Sequence, residues 1–215
     1  MSGEREWSND SELFGLIRKE LYTAVIGDIC DQNGLRRQFL PPAIRPVISS
    51  RLAGGGPDDL EVPVLAGRAM PVLEADVFSE QDPDEPFGKM LEALDDIKSD
   101  EIYICAGASP RYALVGELMA TAVLARGGAG VVVDGFIRDT EGLLKLGLPT
   151  FAHGSYAQDQ RGRGIVLDYR VPIEIGGIPI RPGDVIVGDI DGVVVVPREY
   201  EVDLFVGALD KARTE

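Results

Sequence analysis

The chain is poor in the residues that most often declare a chemistry. Its 215 residues include one histidine, His153, and two cysteines, Cys30 and Cys105. One histidine excludes an all-His or His/Cys zinc cluster within the chain, so any metal must be held by oxygen. Two cysteines build no disulfide framework and fit reduced thiols in a cytoplasm. Positive charge is also scarce, with 21 Lys and Arg against 36 Asp and Glu and a net charge of −15. No local basic cluster offsets this, which argues against nucleic acid as a ligand. The longest apolar runs, such as Val131–Val133 and Val193–Val196, fall far short of the roughly 20 residues that span a bilayer. The polar, acidic Met1–Asn9 does not read as a signal peptide.

Several motifs are missing as well. No glycine loop is followed by Lys-Ser or Lys-Thr, so there is no P-loop, and Gly127, Gly128 and Gly130 follow a helical pattern instead of opening one. No Gly-x-Ser-x-Gly elbow accompanies His153, which is read with Ser155 as a loop pair. A Schiff-base aldolase needs a lysine of depressed pKa. Lys19, Lys89, Lys98, Lys145 and Lys211 all lie in polar or amphipathic helical contexts.

What is present is globular: 45% hydrophobic and 27% charged residues, at a length that suits a single domain over residues 1–215. Glycine, 26 of 215, sits between short apolar runs. A helix is expected from about Ser11, capped by it, with Leu13, Leu16, Ile17 and Leu21 at helical spacing. A second runs from Thr23 to Gln32 and ends at Asn33-Gly34. Val62–Leu65 and Ala69–Val72 read as two strands flanking Gly67. Ser79–Pro86 reads as an acidic loop, Phe87–Ile97 as a helix and Glu101–Cys105 as a buried strand. A helix from Gly116 to Arg126 and the strand Val131–Val133 complete a βαβ pattern, and a short helix, Thr140–Leu146, stops at Gly147. Beyond residue 164 the texture is β: Ile165–Leu167, Val171–Ile175, Val185–Val187 and Val193–Val196, with Asp189–Gly192 as a hairpin turn. A helix over Glu199–Ala212 closes the chain, giving a mixed α/β architecture.

One stretch carries chemistry. The first amides of a helix lack internal partners and face the positive end of its dipole, so Gly116, Glu117, Leu118 and Met119 form a candidate anion site. Gly116 permits close approach to the backbone. Arg138, separated from Glu117 by twenty residues, offers a planar, permanently charged fork to a carboxylate or enolate oxygen. Asp139 offers a hard oxygen suited to Mg²⁺. Glu117 is placed to hold a metal-bound water or accept a proton. A first-turn Glu and an Arg-Asp pair also occur for structural reasons alone.

The run GELMATAVLARGGAGVVVDGFIRD (Gly116–Asp139) resembles the signature of the RraA-like family: an acidic residue, twenty residues, then Arg-Asp. That family includes 4-hydroxy-4-methyl-2-oxoglutarate and 4-carboxy-4-hydroxy-2-oxoadipate aldolases and regulators of ribonuclease E activity. The resemblance takes in Thr23–Asp28, Leu65–Ala69, Val171–Gly177, Pro182–Asp184 and Gly188–Pro197. The aldolases commonly carry Asp where this chain has Glu117.

The resemblance implies a swivelling-type β/β/α fold similar to the phosphohistidine domain, a β-rich core flanked by helices, in a cytoplasmic homotrimer or hexamer. It implies a lyase, a divalent-metal-dependent pyruvate aldolase acting on a 4-hydroxy-2-oxo acid, with oxaloacetate decarboxylation as a side activity. The small-molecule substrate is then held by the Gly116–Met119 amides and Arg138, with Mg²⁺ or Mn²⁺ on Asp139, Glu117 and Arg138 catalytic, and a neighbour's Glu215 nearby. The alternative is a non-catalytic regulator that binds a ribonuclease through protein contacts. A phosphohistidine carrier would have to use His153.

Overall fold

The computed structural model describes residues 4–48, 62, 64–78 and 86–214; the acidic stretch 79–85, the glycines at 54–56 and Glu215 lie outside them. The chain opens with α1 (Asp10–Glu20), which buries Leu13, Phe14 and Ile17. Its cap is Asn9, not Ser11: the Asn9 side chain accepts from the Glu12 N–H at 3.0 Å, and the Glu12 carboxylate reaches back to the Ser8 N–H at 2.7 Å. Such a reciprocal pair outcompetes Ser11, which falls within the first turn as the second residue of the helix. Helix α2 (Thr23–Gln32) ends as expected, with Gly34 left-handed at φ 79°. Its N-terminus is capped from far away in sequence, by Asp189, whose carboxylate accepts from Thr23 N–H at 2.7 Å and Thr23 Oγ1 at 2.8 Å.

A two-residue strand, β1 (Arg45–Pro46), precedes β2 (Leu65–Asp76), which is one long strand instead of two. Gly67 lies inside it because a Cβ there would sit 2.5 Å from the Asp100 carbonyl oxygen. The glycine marks a close approach, not a break. Next come α3 (Met90–Asp95), shorter than the expected helix, β3 (Glu101–Ala106), β4 (Ala113–Val115), α4 (Glu117–Ala125), β5 (Gly130–Val133), β6 (Phe136–Ile137) and α5 (Thr140–Leu146). The remainder is β7 (Thr150–Ala152), β8 (Gly154–Ser155), β9 (Gly164–Tyr169), β10 (Ile173–Ile175), β11 (Ile178–Ile180), β12 (Val185–Asp189), β13 (Gly192–Val196) and α6 (Glu201–Ala212), which a turn of 3₁₀ helix precedes.

The main sheet runs β1-β7-β5-β3-β2-β12-β13, with β9 also on β2. Its two ends approach each other. Residues 38–40 hydrogen-bond to β13, through Leu40 N–H to Val193 O and Val195 N–H to Gln38 O, and the chain then passes on to β1. Arg45 Nη1 donates to Asp191 O at 2.6 Å across the same gap. The sheet is therefore nearly closed, like a barrel, with helices outside.

Period-two alternation divides its side chains. Ile102, Ile104, Val132, Ile186, Val193 and Val195 point into the barrel. Tyr103, Cys105, Val131 and Val133 point outward beneath α3, α4 and α5, while Val185, Val187, Val194 and Val196 lie beneath α1, α2 and α6. Burial on both faces explains why these strands read as unbroken apolar runs. Both cysteines are free and buried, and burial pushes Cys30 up to about 11, helped by the Asp31 charge. No helix among the described residues is long and apolar enough to cross a membrane.

Candidate active site

The residues singled out from the sequence meet outside the barrel, at a second, three-stranded parallel sheet, β4-β6-β8. Val115 pairs with Ile137, and Arg138 N–H donates to Val115 O at 2.9 Å. The next residue of each strand, Gly116 and Arg138, therefore lie side by side, and α4 and α5 start next to each other. The expected βαβ unit is split between sheets. Helix α4 leaves the small sheet and delivers the chain to β5 in the barrel; residues 134–135 carry it back to β6. The juxtaposition comes from β4 with β6, not from the strand that directly follows α4.

Gly116 caps α4 with no side chain, and a Cβ there would sit 2.7 Å from Asp139 Oδ2 and 3.3 Å from Arg138 Nε. Only glycine lets the loop come this close. Asp139 Oδ2 stands 3.4 Å from the Glu117 amide nitrogen. Asp139 also occupies the N-cap of α5 with left-handed backbone, φ 56° and ψ 38°, yet its side chain does not cap that helix. It turns toward α4 instead. Holding a non-glycine residue there costs on the order of 1 kcal/mol, a strain that gathers at functional positions.

Arg138 lies between two carboxylates, with Nε 3.6 Å from Asp139 Oδ2 and Nη1 3.4 Å from Asp159 Oδ1. Both distances exceed the 2.7–2.9 Å of a charge-assisted hydrogen bond, so the donors are not consumed. The Glu117 carboxylate lies over α5, where a Cβ on Gly142 would meet its Oε2 at 2.2 Å. A cavity of about 430 Å³ opens there, lined by Glu117, Asp139, Thr140, Glu141, Gly142 and Lys145. Lys145 is tied to Glu141 at 2.6 Å, a bond that raises its pKa.

Gly116, Glu117, Arg138 and Asp139 are thus together. Leu118 and Met119 contribute backbone only: the Leu118 side chain is 84% exposed and Met119 packs on the core beneath α4. Asp159 and Gly142 carried no motif and were invisible in the sequence. His153 does not pair with Ser155. Its Nε2 is 3.2 Å from Asp134 Oδ1, while Ser155 Oγ shares a 2.6 Å hydrogen bond with Thr140 Oγ1. A larger cleft of about 630 Å³ lies between α2 and the Gly176-Gly177 turn, and none of these residues lines it.

Chemically the arrangement suits a small carboxylate: the Leu118 and Met119 amides at a helix N-terminus, an arginine with free donors, and two acidic groups at the rim. Comparison with known proteins supplies the family. The family model described as RraA-like, Aldolase/RraA, matches residues 23–195, and the chain belongs to that family. A curated relative from Halalkalibacterium halodurans, named "Putative 4-hydroxy-4-methyl-2-oxoglutarate aldolase", is 40% identical over 112 residues, 52% of this chain and 53% of that one. The chain spans only 53% to 65% of the length of the first curated relatives it matches.

Two solved structures share the fold. One, described as novel cellulases from microbes associated with the gut ecosystem, has a TM-score of 0.85 at 27% identity, over 100% of this chain and 90% of that one. Streptomyces coelicolor RraAS2, described as an unusual member of the RNase ES inhibitor RraA family, has a TM-score of 0.77 at 24% identity, over 97% and 96%.

Proposed function

We propose that the chain is a divalent-metal-dependent lyase that cleaves a 4-hydroxy-2-oxo acid to pyruvate and a second carbonyl compound. The observation that carries this reading is an arginine with unspent donors, held with Asp139 against the glycine-capped start of α4. The names of the curated relatives point the same way.

Among the described residues no three His, Cys, Asp or Glu side chains gather as a metal cage. The donor set fits a hydrated hard cation such as Mg²⁺ or Mn²⁺, which needs only one or two carboxylates and keeps its waters. Asp139 would hold it, with Glu117 bonding one of those waters. Bound there, such an ion supplies Lewis-acid polarisation of the 2-oxo group.

The chain's own residues do the rest. The Leu118 and Met119 amides bind the substrate carboxylate. Glu117, directly or through a water, accepts the C4 hydroxyl proton as the C3–C4 bond breaks. The electrons of that bond pass to C3 and the keto oxygen, and Arg138 meets the developing enolate charge. Protonation at C3 gives pyruvate. Oxaloacetate decarboxylation would release CO₂ through the same enolate.

The site would be completed by assembly into a homotrimer or hexamer. Leu118, beside the site, and Leu91 on α3 expose 84% and 64% of their surface, which an adjoining copy would cover.

An aldol-cleavage assay over a panel of 4-hydroxy-2-oxo acids, with pyruvate detected, tests the reading. Activity is expected to vanish with EDTA and return with Mg²⁺ or Mn²⁺; full activity in EDTA sinks it. The second reading, a ribonuclease regulator, draws on the net charge of −15 and the likeness to RraAS2. Ribonuclease inhibition that survives loss of Arg138, with no cleavage of any panel member, would favour it.

A further inference from the structure

Strand β2 ends in two carboxylates that the proposed chemistry leaves unused. Asp76 is saturated: it accepts from Ser109 N–H and Oγ, Tyr112 OH and Arg111 Nη2, all at 2.8–3.0 Å. Glu74 is not. It is 2% exposed, its Oε2 accepts from Gln160 Nε2 at 2.5 Å, and its Oε1 finds no partner among the described residues. The hydroxyl of Tyr103, in the same outward-facing core, is equally unpaired among the described residues. An apolar side chain would pack there without the cost of a half-satisfied carboxyl.

What Glu74 holds is a loop. Gln160 is itself buried, and its carbonyl accepts from Arg163 and Gly164 N–H at 2.8 and 3.0 Å. Two residues earlier, Gln158 O accepts from the N–H of Ala113, which opens β4. Between these anchors Asp159 projects to within 3.4 Å of Arg138. Sequence separation hides this route, because β2 and the loop are more than 80 residues apart.

We propose that Glu74 is a positioning residue for Arg138: its clasp on Gln160 fixes Asp159 beside the guanidinium. The inference rests on the lyase reading, in which Arg138 meets the enolate. With Asp159 on one side and Asp139 on the other, the guanidinium is centred and its donors stay open. Freed from Asp159, Arg138 closes onto Asp139 and spends those donors in a direct pair.

The test uses Glu74→Leu, Gln160→Ala, their combination, and Glu74→Gln in the full chain. Glu74→Leu and Gln160→Ala are each expected to lower kcat/KM for 4-hydroxy-4-methyl-2-oxoglutarate cleavage about tenfold, mainly through kcat, with no further loss in the double variant. Glu74→Gln keeps the bond and stays within about twofold. The ¹⁵N resonance of Arg138 Nε moves in the first two variants and not in Glu74→Gln. Gln160→Ala leaves β2 intact, so it decides the matter should Glu74→Leu fail to fold. Unchanged kcat/KM in Gln160→Ala, or losses that multiply in the double variant, overturn the proposal. If the wild type cleaves nothing, the lyase reading falls alone, and an unmoved Arg138 resonance in Gln160→Ala then overturns the clasp.

Discussion

Three arginines of this protein live in two different ways. Arg68 spends its donors inside the fold: Nε and Nη2 on Asp10 at 2.8 and 2.5 Å, and Nη1 on Gly183 O at 3.1 Å and on Glu201. Arg170 likewise grips both Glu101 oxygens at 2.7 and 2.8 Å, and both the side chain and the carbonyl of Asp96. Arg138 touches two carboxylates at 3.4 and 3.6 Å and saturates neither. A guanidinium whose forks are filled is a rivet; one left between loose partners can take up an incoming anion.

That contrast breaks most sharply on substitution. Arg138→Ala should lower kcat/KM by about a thousandfold, the scale of losing a donor to a developing oxyanion, while the melting temperature holds. Retained lyase activity in that variant would place Arg138 with the rivets. Arg68→Ala should do the reverse, costing about 3 kcal/mol in chemical denaturation by stranding the buried Glu201, with little change in KM.

The carboxylates divide in the same manner. Burial alone would raise Asp76, but its bonds from Ser109, Tyr112 and Arg111 hold it well below the usual carboxylate range. Burial pushes Glu74 up to about 8 against the lowering pull of Gln160 and Cys105, with Tyr103, Cys105 and Tyr112 facing it. Between pH 4.5 and about 8 the folded chain keeps a proton on Glu74 that the unfolded chain has lost. The Glu74 contribution is therefore full below the lower value and drains away as pH rises through the upper one. Asp76 works oppositely, its contribution being lost as pH falls below the ordinary value of 3.8. Denaturation at pH 5 and pH 8.5 should show wild type losing about 4 kcal/mol across that window and Glu74→Gln losing much less. Parallel curves would mean that Glu74 is ionised at neutral pH.

The smallest effect sharpens the site's own boundary. Gly142→Ala puts a methyl where the Glu117 carboxylate lies, and that flexible end can swing away. Alanine also suits a helix better, by up to about 1 kcal/mol. The variant should melt no lower than wild type and cleave several-fold more slowly. A slower and less stable variant would show that Glu117 is pinned for structural reasons.

How much of this was legible depends on distance along the chain. The bounds of α2 and α5 follow from apolar spacing and a terminal glycine, both local properties, and they match Thr23–Gln32 and Thr140–Leu146. Gly116-Glu117 and Arg138-Asp139 each stood out locally, as a helix start and an adjacent charged pair, but their meeting is decided by the pairing of β4 with β6. The Ser11 cap was misplaced because Asn9 and Glu12 form a better-matched pair, and β11 was missed because Ile178–Ile180 is a three-residue strand around a proline.

Composition and local pattern determined an acidic α/β chain with a single histidine and two cysteines, and singled out Gly116, Glu117, Arg138 and Asp139 as candidates. Tertiary structure decided that Gly67 is a point of contact inside one strand, and that Asp189 caps a helix 166 residues away. It also decided that Glu74, Gln160 and Asp159 lead to Arg138. Hydrogen-bond partners separated by scores of residues leave no periodic trace, because pairing is set by how strands register across a closed sheet and not by the order in which the chain presents them.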